Sequence, residues 1–280
     1  MASGDLRPAV EALGQSAKLI DMIGAALSAA APAEKCALVS EIAEMWPENG
    51  MHLTDLDAPV HAEPGTPSRP CLLAPRDMPK RRQGRSRADR AALLHALAHI
   101  ELNAINLALD IILRFGHAMP PAFCTDWIGV AADEARHFNL LCARLKAFDV
   151  NYGDLPAHAG LWEAAEKTRD DILARLAIVP MVLEARGLDV SPPMIARLRS
   201  FGDDESADVL AIIYHDEIGH VGVGVRWFRH VCAEQALDPV QVFHDRVRRD
   251  FTGGLKPPFN DEARTKAGFS PQFYRSLTLR

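Results

Sequence analysis

The stretch DEARHFNLL, residues 133–141, places a glutamate and a histidine three residues apart within an apolar pattern of helical period. The stretch HDEIGHV, residues 215–221, repeats that arrangement further along the chain. Residues three apart on a helix project from the same face, roughly 5–6 Å from each other. One helix can therefore offer a carboxylate and an imidazole to the same metal ion.

A lone glutamate precedes each Glu-x-x-His motif by 33 residues, so the chain holds two copies of a three-residue set. Each member of the second set lies 83 positions after its counterpart in the first. A single Glu-x-x-His is weak evidence for metal, because such pairs are common on solvated helix faces. The duplicated spacing is more specific, and it predicts six metal ligands: Glu101, Glu134, His137, Glu184, Glu217 and His220.

Apolar residues surround each predicted ligand at the spacing of a helix face, as Leu97, Ala98 and Ile105 do for Glu101. A buried ionised carboxylate is costly unless it is paired or binds a metal. The four glutamates of the set carry four negative charges, and two neutral histidines add none. Two divalent cations would neutralise this set, whereas a metal-free core would hold four carboxylates that repel one another.

Polar residues beside the two motifs are candidates for positioning the ligands. A metal-bound histidine usually donates its other ring N–H to a carboxylate, so Asp133 and Asp216 are expected to serve their own or the opposite histidine. The alternative is a solvated aspartate on a helix face. Arg136 can pair with one of these aspartates, while the second motif has Gly219 at that place. Tyr214 is a candidate for a radical or a bond to a ligand, although a core tyrosine with one hydrogen bond is the commoner case.

Other chemical motifs are weak or missing from the sequence. His95 and His99 lie off the face of Glu101 and are expected to be packing histidines, and His215 lies off the face of Glu217. Trp127 and Trp162 are expected in the core. The sequence has no Gly-rich phosphate loop, no nucleophile elbow and no zinc-finger spacing. We therefore expect no catalytic residue separate from the metal ligands.

Proline and helical patterns divide the chain into three regions. Residues 1–87 hold two helical patterns, which are expected to form a hairpin, followed by a linker with six prolines. Residues 88–234 are expected to form the core. Residues 235–280 are expected to add a helix near 238–250 and a tail. Pro180, one turn before Glu184, predicts a kink or a π-bulge. Gly187 through Pro193 predict the end of the third core helix. The four core helices are predicted at 88–115, 121–148, 160–188 and 204–234.

Charge and cysteine content limit the function classes. The formal charge of −6 argues against nonspecific nucleic-acid binding by the whole surface. The basic run PKRRQGRSRADR, residues 79–90, could bind phosphate or RNA, but solvation or docking on an acidic surface of the same protein is the favoured reading. Five cysteines without a Cys-x-x-Cys indicate reduced, mostly core-filling thiols. Without a signal-peptide pattern or an uninterrupted apolar span, the chain is predicted to be cytoplasmic and not in a membrane.

One glutamate from each of two helices, with Glu-x-x-His from each of two others, resembles the ligand set of ferritin-like di-iron and di-manganese carboxylate bundles. The match covers about residues 88–232. More narrowly, the chain is similar to the bacterial ferritin-like family DUF455. Five segments carry that similarity: HALAHIELNAINLALD, DEARHFNLL, YGDLPAHAGLW, VLEARGLDV and HDEIGHV. The resemblance implies an all-α, ferritin-like four-helix bundle with an N-terminal helical hairpin and a C-terminal helical extension.

The resemblance also implies a reaction class. Oxygen-rich ligands with two imidazoles suit two Fe ions, or alternatively Mn or a mixed Mn/Fe pair. With iron, the expected activity is O₂-dependent oxidation or hydroxylation of a small organic substrate, with a separate protein as electron donor. The alternatives are a ferroxidase or iron-handling protein, and a non-catalytic scaffold stabilised by metal. Hydroxylation of tRNA is a further possibility that rests on fold analogy and the basic run alone.

Overall fold

The computed structural model describes residues 7–46, 62–79, 85–158, 160–252 and 254–278, except for the side chains of residues 7–17 and of Pro75. These residues form helices and connecting turns, and no β-strand occurs in the described ranges. Two isolated bridges join Leu72 to Ala157 and Leu255 to Thr278. The prediction of an all-α chain is therefore confirmed.

Eleven α-helices lie in the described ranges, with a π-helix at Val179–Glu184 between the sixth and the seventh. The predicted C-terminal helix near 238–250 is present as α9, whereas the two short helices after it were not predicted. The bounds are α1 Arg7–Ser28, α2 Pro32–Met45, α3 Arg87–Phe115, α4 Pro121–Lys146, α5 Gly160–Lys167, α6 Ile172–Ile178, α7 Ala185–Ser200, α8 Asp204–Glu234, α9 Pro239–Asp250, α10 Asp261–Lys266 and α11 Pro271–Tyr274.

The chain divides into two compact units, and the division runs through the continuous helices α3 and α4. The first unit comprises residues 1–68 and 104–136, and the second comprises residues 69–103 and 137–280. The two helices predicted within residues 5–47 are present in the first unit as α1 and α2, which pack against each other. Of the predicted linker, residues 48–87, the stretches 48–61 and 80–84 lie outside the described residues.

Buried Lys35 in α2 fixes the end of α1. Its Nζ donates hydrogen bonds to the carbonyl oxygens of Ala26 at 2.8 Å and Leu27 at 2.6 Å. The last carbonyls of a helix have no partner within it, and a cation there is favourable. Burial nevertheless lowers the pKa of Lys35 to about 8. The lysine therefore caps α1 while retaining its proton less firmly than a solvated lysine.

The third core helix differs from its prediction in two ways. It is interrupted once, and it extends beyond the predicted end at residue 188. It stops at Lys167, turns, and restarts at Ile172, where the N-cap Asp171 accepts a hydrogen bond from the Ala174 amide at 3.0 Å. Buried Arg175 spans the break, since its Nη2 donates to the carbonyl oxygen of Ala165 at 2.8 Å. The single helix predicted at 160–188 is therefore wrong at this point.

The predicted stop between Gly187 and Pro193 is also wrong, because α7 continues through Pro192 and Pro193 to Ser200. A proline within a helix lacks the N–H that would bond the carbonyl four residues earlier. For Pro192 that carbonyl belongs to Leu188, and it accepts a hydrogen bond from Asn260 Nδ2 at 3.1 Å instead. A distant side chain thus replaces the missing donor and lets the helix continue.

Pro180 lies within the π-helical segment, which agrees with the predicted π-bulge. The ring of Pro180 packs against α8 at Gly224, where an added Cβ would lie 2.4 Å from Pro180 Cβ and 2.5 Å from Cγ. Only a glycine allows this approach, because real Cβ atoms do not come so close to carbon. The contact fixes the register between α8 and the segment that carries Glu184.

One helical region, Arg87–Ala118, is long and apolar enough to span a membrane by length and composition. Its most apolar window is 78% buried inside the protein. The same helix carries the buried charged residues Glu101, Asp110 and Arg114. These features are those of a core helix.

The cysteines behave as the composition predicted. All five are free thiols, and Cys36, Cys124 and Cys232 are buried. Burial raises the pKa of Cys36 to about 11 and that of Cys124 to about 12. Such thiols fill the core and stay protonated near neutral pH.

A candidate metal centre

Four of the six predicted ligands come together in the structure. Glu101 of α3, Glu134 and His137 of α4 and Glu217 of α8 each place one ligand atom within 4.8 Å of the others. Glu134 and His137 belong to one continuous helix, where their spacing of three residues sets them on one face. Glu101, Glu134 and His137 are buried, and the side chain of Glu217 is 13% exposed. The group has the size and the chemistry of a ligand set for one ion.

His137 is held between two carboxylates. Its Nδ1 lies 3.4 Å from Glu101 Oε2, and its Nε2 lies 3.0 Å from Asp216 Oδ2. In this arrangement Nε2–H donates to Asp216, and Nδ1 faces the glutamate cluster. A metal-bound histidine coordinates the ion through one ring nitrogen and donates a hydrogen bond from the other ring N–H to a carboxylate. Asp216 thus stands where the partner of a metal-bound His137 is required, and it serves the histidine of the opposite motif.

The second motif lies beside the first. His220 is buried, and its Nδ1 is 3.7 Å from Glu217 Oε1. The ring centroids of His137 and His220 are 5.7 Å apart. Both Glu-x-x-His pairs therefore meet in one region of the protein.

Glu184 is not a member of the four-residue group, and its role as a ligand stays a prediction. It ends the π-helix and is half-buried. Helices α7 and α8 pack together across a connection of residues 201–203, so they run antiparallel. Pro180 is in contact with Gly224. Glu184 lies four residues after Pro180, and His220 lies four residues before Gly224. From this register we predict that Glu184 lies level with His220.

The donor set fits divalent metal ions. Buried carboxylates need compensating charge, and carboxylate oxygens with imidazole nitrogens suit Fe or Mn. Glu101, Glu134, His137 and Glu217 would hold one ion through the atoms that converge. The roles of Glu184 and His220 as ligands of a second ion stay predictions.

Other residues predicted near the site have different surroundings. Arg136 forms an ion pair with Asp133 at 2.9 Å, as expected for one of the two aspartates. The role of Asp133 as a histidine partner stays a prediction. The hydroxyl of half-buried Tyr214 accepts a hydrogen bond from Asn260 Nδ2 at 3.0 Å. This contact corresponds to the alternative of a core tyrosine with one hydrogen bond.

The packing histidines have the contacts expected of them, and His215 is exposed. Buried His95 accepts hydrogen bonds at Nε2 from the amides of Gly153 at 2.9 Å and Leu155 at 3.4 Å. His99 Nδ1 lies 2.8 Å from the hydroxyl of Tyr152. Burial lowers the pKa of His95, and it lowers the pKa of His99 to about 4. Both rings are therefore neutral parts of the packing between α3 and the YGDLPAHAGLW segment.

The described part of the basic run docks on its own protein. Arg87 donates to the carbonyl oxygen of Ala147 at 2.6 Å and pairs with Asp149 at 2.9 Å. Arg90 pairs with Asp203 at 2.9 Å. Both guanidinium groups also lie over the ring of Phe148, at 5.2 Å and 5.8 Å. These contacts support docking over nucleic-acid binding for Arg87 and Arg90.

The contacts of the C-terminal residues with α7 could not be predicted from the sequence. Buried Arg264 pairs with Asp189 at 2.7 Å, and the Asn260 amide donates to Asp189 at 2.9 Å. These residues are more than 70 positions apart, so no local pattern connects them. The N-cap role of Asn260, which accepts from the Ala263 amide at 3.1 Å, was the one readable signal.

The fold and this cluster define an all-helical protein with a buried carboxylate and imidazole group. The model of the family described as "Protein of unknown function (DUF455)" matches residues 28–275, and the chain belongs to that family. It is 40% identical over 257 residues to an uncharacterized protein of Haemophilus influenzae (strain ATCC 51907 / DSM 11121 / KW20 / Rd). That match covers 88% of each chain. No solved structure matches the chain.

Proposed function

We propose that this chain is a di-metal carboxylate protein that binds two Fe ions, or Mn in their place, in a ferritin-like four-helix bundle. The observation that carries the proposal is the convergence of Glu101, Glu134, His137 and Glu217, with Asp216 on the outer nitrogen of His137. Four long helical regions would supply the ligands: α3, α4, the π-helix with α7, and α8.

The two ions would supply activation of O₂ for the oxidation or hydroxylation of a small organic substrate. Reduction of O₂ to water takes four electrons, and a two-electron oxidation of the substrate provides two. A separate donor must supply the other two, because the sequence has no flavin or nicotinamide motif.

The protein's own residues would bind and orient the ions. The glutamates neutralise the ions' positive charge, and burial removes competing water from the ligand atoms. Asp216 accepts a hydrogen bond from Nε2–H of His137, which keeps the Nδ1 lone pair directed at the carboxylates. The Pro180–Gly224 contact holds the segment that carries Glu184 against α8.

Two alternatives use the same ligands and differ in outcome. A ferroxidase or iron-handling protein would oxidise many Fe(II) ions per chain and deposit mineral. A scaffold would bind metal and react with neither O₂ nor added Fe(II). A cytoplasmic location and a tRNA substrate remain predictions from the sequence, and residues 80–84 of the basic run lie outside the described residues.

The test is an anaerobic reconstitution with Fe(II), followed by rapid mixing with O₂ and optical detection. The proposal predicts a single O₂-dependent reaction per metal pair, with repeated turnover only when a reductant and a substrate are present. Many turnovers of Fe(II) with mineral formation would favour iron handling. Metal binding without any O₂ reaction would favour the scaffold.

A further inference from the structure

A cleft of about 350 Å³ lies in the second unit, on a side of the π-helix and α7 that faces residues 251–264. This volume is at the lower end of the range for small-molecule sites, about 300–1,000 Å³. Most of its wall is apolar, and the apolar side chains are Val182, Leu183, Phe251, Leu255 and Phe259. A small ligand with an apolar body would fit this wall.

The charged residues of the cleft carry an excess of positive charge. Arg186, Lys256 and Arg264 line it together with a single acid, Asp189. Asp189 is fully engaged, because Arg264 binds both of its oxygens at 2.9 Å and 2.7 Å. Three cations and one carboxylate give the lining a net charge of +2, in a chain whose net charge is −6. An anionic ligand is the complement of such a site.

Contacts within the protein already fix the position of the Arg186 guanidinium. Its Nη1 donates to the carbonyl oxygens of Lys256 at 2.7 Å and Pro258 at 3.2 Å, and it lies 3.3 Å from Asp189. Its Nε and Nη2 donate to no group in the described ranges, and its side chain is 40% exposed. A guanidinium whose position is already fixed loses less entropy on binding an oxyanion.

Arg264 is a buried cation in the wall of the cleft. It is 3% exposed, and its guanidinium carbon lies 4.5 Å from the ring centroid of Tyr274 and 4.9 Å from that of Phe259. Its buried Nη1 has no hydrogen-bond acceptor among the described residues. Low-dielectric surroundings strengthen the attraction of such a group for an anion.

The cleft is distinct from the metal cluster. Val182 and Arg186 each lie two positions from Glu184, and side chains two apart on a helix point to nearly opposite sides. Pro180, one turn before Glu184 on the same face, packs against α8 at Gly224, so the cleft occupies the other side of the same helix. A ligand there would contact the π-helix without touching the metal.

We propose that this cleft binds a small organic acid, whose oxyanion contacts Arg186 and Lys256 and whose apolar body lies against Phe251 and Phe259. The inference does not depend on the metal function. The shared chemistry is a carboxylate or phosphate headgroup on a short apolar chain.

The test is calorimetric titration of the full-length protein, both metal-depleted and metal-loaded, with hexanoate, hexyl phosphate and 1-hexanol. We expect one site per chain that binds at least one of the anions about tenfold more tightly than the uncharged alcohol. The tighter anion identifies the headgroup. Binding of neither anion at millimolar concentration, or equal binding of the alcohol, would overturn the proposal.

Substitutions locate the site. Arg186→Gln should weaken binding of the preferred anion about tenfold, and Arg197→Gln, on the exposed surface of the same helix, should leave it unchanged. If Arg186→Gln lowers the melting temperature sharply, Lys256→Gln replaces it, because the Lys256 side chain forms no ion pair within the described ranges. An unchanged affinity in the folded variants would show that the anion binds elsewhere.

Discussion

His137 illustrates how surroundings distinguish a metal ligand from a packing histidine. Its two nitrogens face carboxylates, Glu101 at 3.4 Å and Asp216 at 3.0 Å, in a buried site. His95 is equally buried, but its Nε2 accepts from a backbone amide and its ring stacks on Tyr152 at 5.3 Å. Carboxylates on both sides are the environment of a bound cation, whereas amide and ring contacts are those of a neutral imidazole.

The contact between Asp216 and His137 gives a prediction for one hydrogen bond. Asp216→Asn keeps the size of the side chain but removes the charge that orients His137 and raises its basicity. We expect about a 10–100-fold loss in metal affinity or in the rate of the oxygen reaction. Asp208→Asn is the matched control, because Asp208 is an exposed residue of α8 that pairs with Arg199. Equal kinetics in the two variants would remove Asp216 from the site, and the same measurement on Asp133→Asn tests its predicted role.

At the scale of residues, the sequence predicted the identity of the candidate ligands better than the contacts between them. The repeat of Glu-x-x-His at a fixed offset is visible in the chain itself, and it identified all four residues that converge. The choice between an aspartate's own and opposite histidine was left open, because it depends on how α4 and α8 pack. Asp216 binds the histidine 79 positions away, which no local pattern encodes.

At the scale of elements, the third core helix shows where local rules fail. Pro192 and Pro193 end helices when no other donor is near, and the prediction assumed that case. Asn260 lies 72 positions from Leu188 and supplies the missing hydrogen bond. By contrast, Pro180 was a correct signal for the π-helix, because the effect of its ring on the preceding turn is local. Helices set by capping and periodicity, such as α3 and α8, agreed closely with their predicted bounds.

The contact between Gly224 and Pro180 gives a prediction for the packing of α8. Gly224→Ala would place a methyl group 2.4 Å from Pro180 Cβ, so the π-helix must shift. We expect a loss of about 1–3 kcal/mol in the free energy of unfolding, with weaker metal binding through Glu184. Gly219→Ala in the same helix meets no atom within 4 Å and should be neutral or stabilise by up to about 1 kcal/mol. Chemical denaturation of the two variants measures both effects; equal stabilities would contradict the proposed contact.

Lys35 gives a prediction for the dependence of stability on pH. Its pKa is lowered from 10.5 to about 8, so between these values the unfolded chain holds a proton that the folded chain has lost. Stability due to this group therefore rises with pH across that window. The free energy of unfolding of the wild type, minus that of Lys35→Met, should increase from pH 8 to pH 10.5 by at most about 3 kcal/mol. A difference that is flat or falls would show that burial does not lower the pKa of Lys35.

At the scale of the whole molecule, the second unit owes much of its organisation to the C-terminal residues. Asn260 donates a hydrogen bond to a backbone carbonyl of α7, and Arg264 forms an ion pair with Asp189 of α7. Arg246 and Arg249 of α9 form ion pairs with Asp171 at the start of α6. The sequence predicted the helix α9 but not these contacts, because they join segments distant in the chain. The all-α class was predictable because it follows from periodicity summed over many residues.

Metal should stabilise the whole protein if the cluster is buried as proposed. An ion that binds only the folded chain adds about 2.7 kcal/mol at 100 times its dissociation constant. The melting temperature should therefore rise when Fe(II) or Mn(II) is added to the metal-depleted protein without oxygen. Glu101→Gln should lessen the repulsion among the carboxylates in the metal-free protein and reduce this rise. Identical melting of the metal-depleted and metal-loaded wild type would contradict the burial argument.

Metal content measures the central claim most directly. Elemental analysis of the protein after anaerobic reconstitution and desalting should find close to two Fe or Mn ions per chain, since two divalent ions balance the four glutamates. Glu134→Ala and Glu217→Ala should each lose at least one ion, while Glu163→Ala, on the exposed side of α5, should retain both. Absence of bound transition metal in the folded wild type, or an equal metal content in all three variants, would contradict the account.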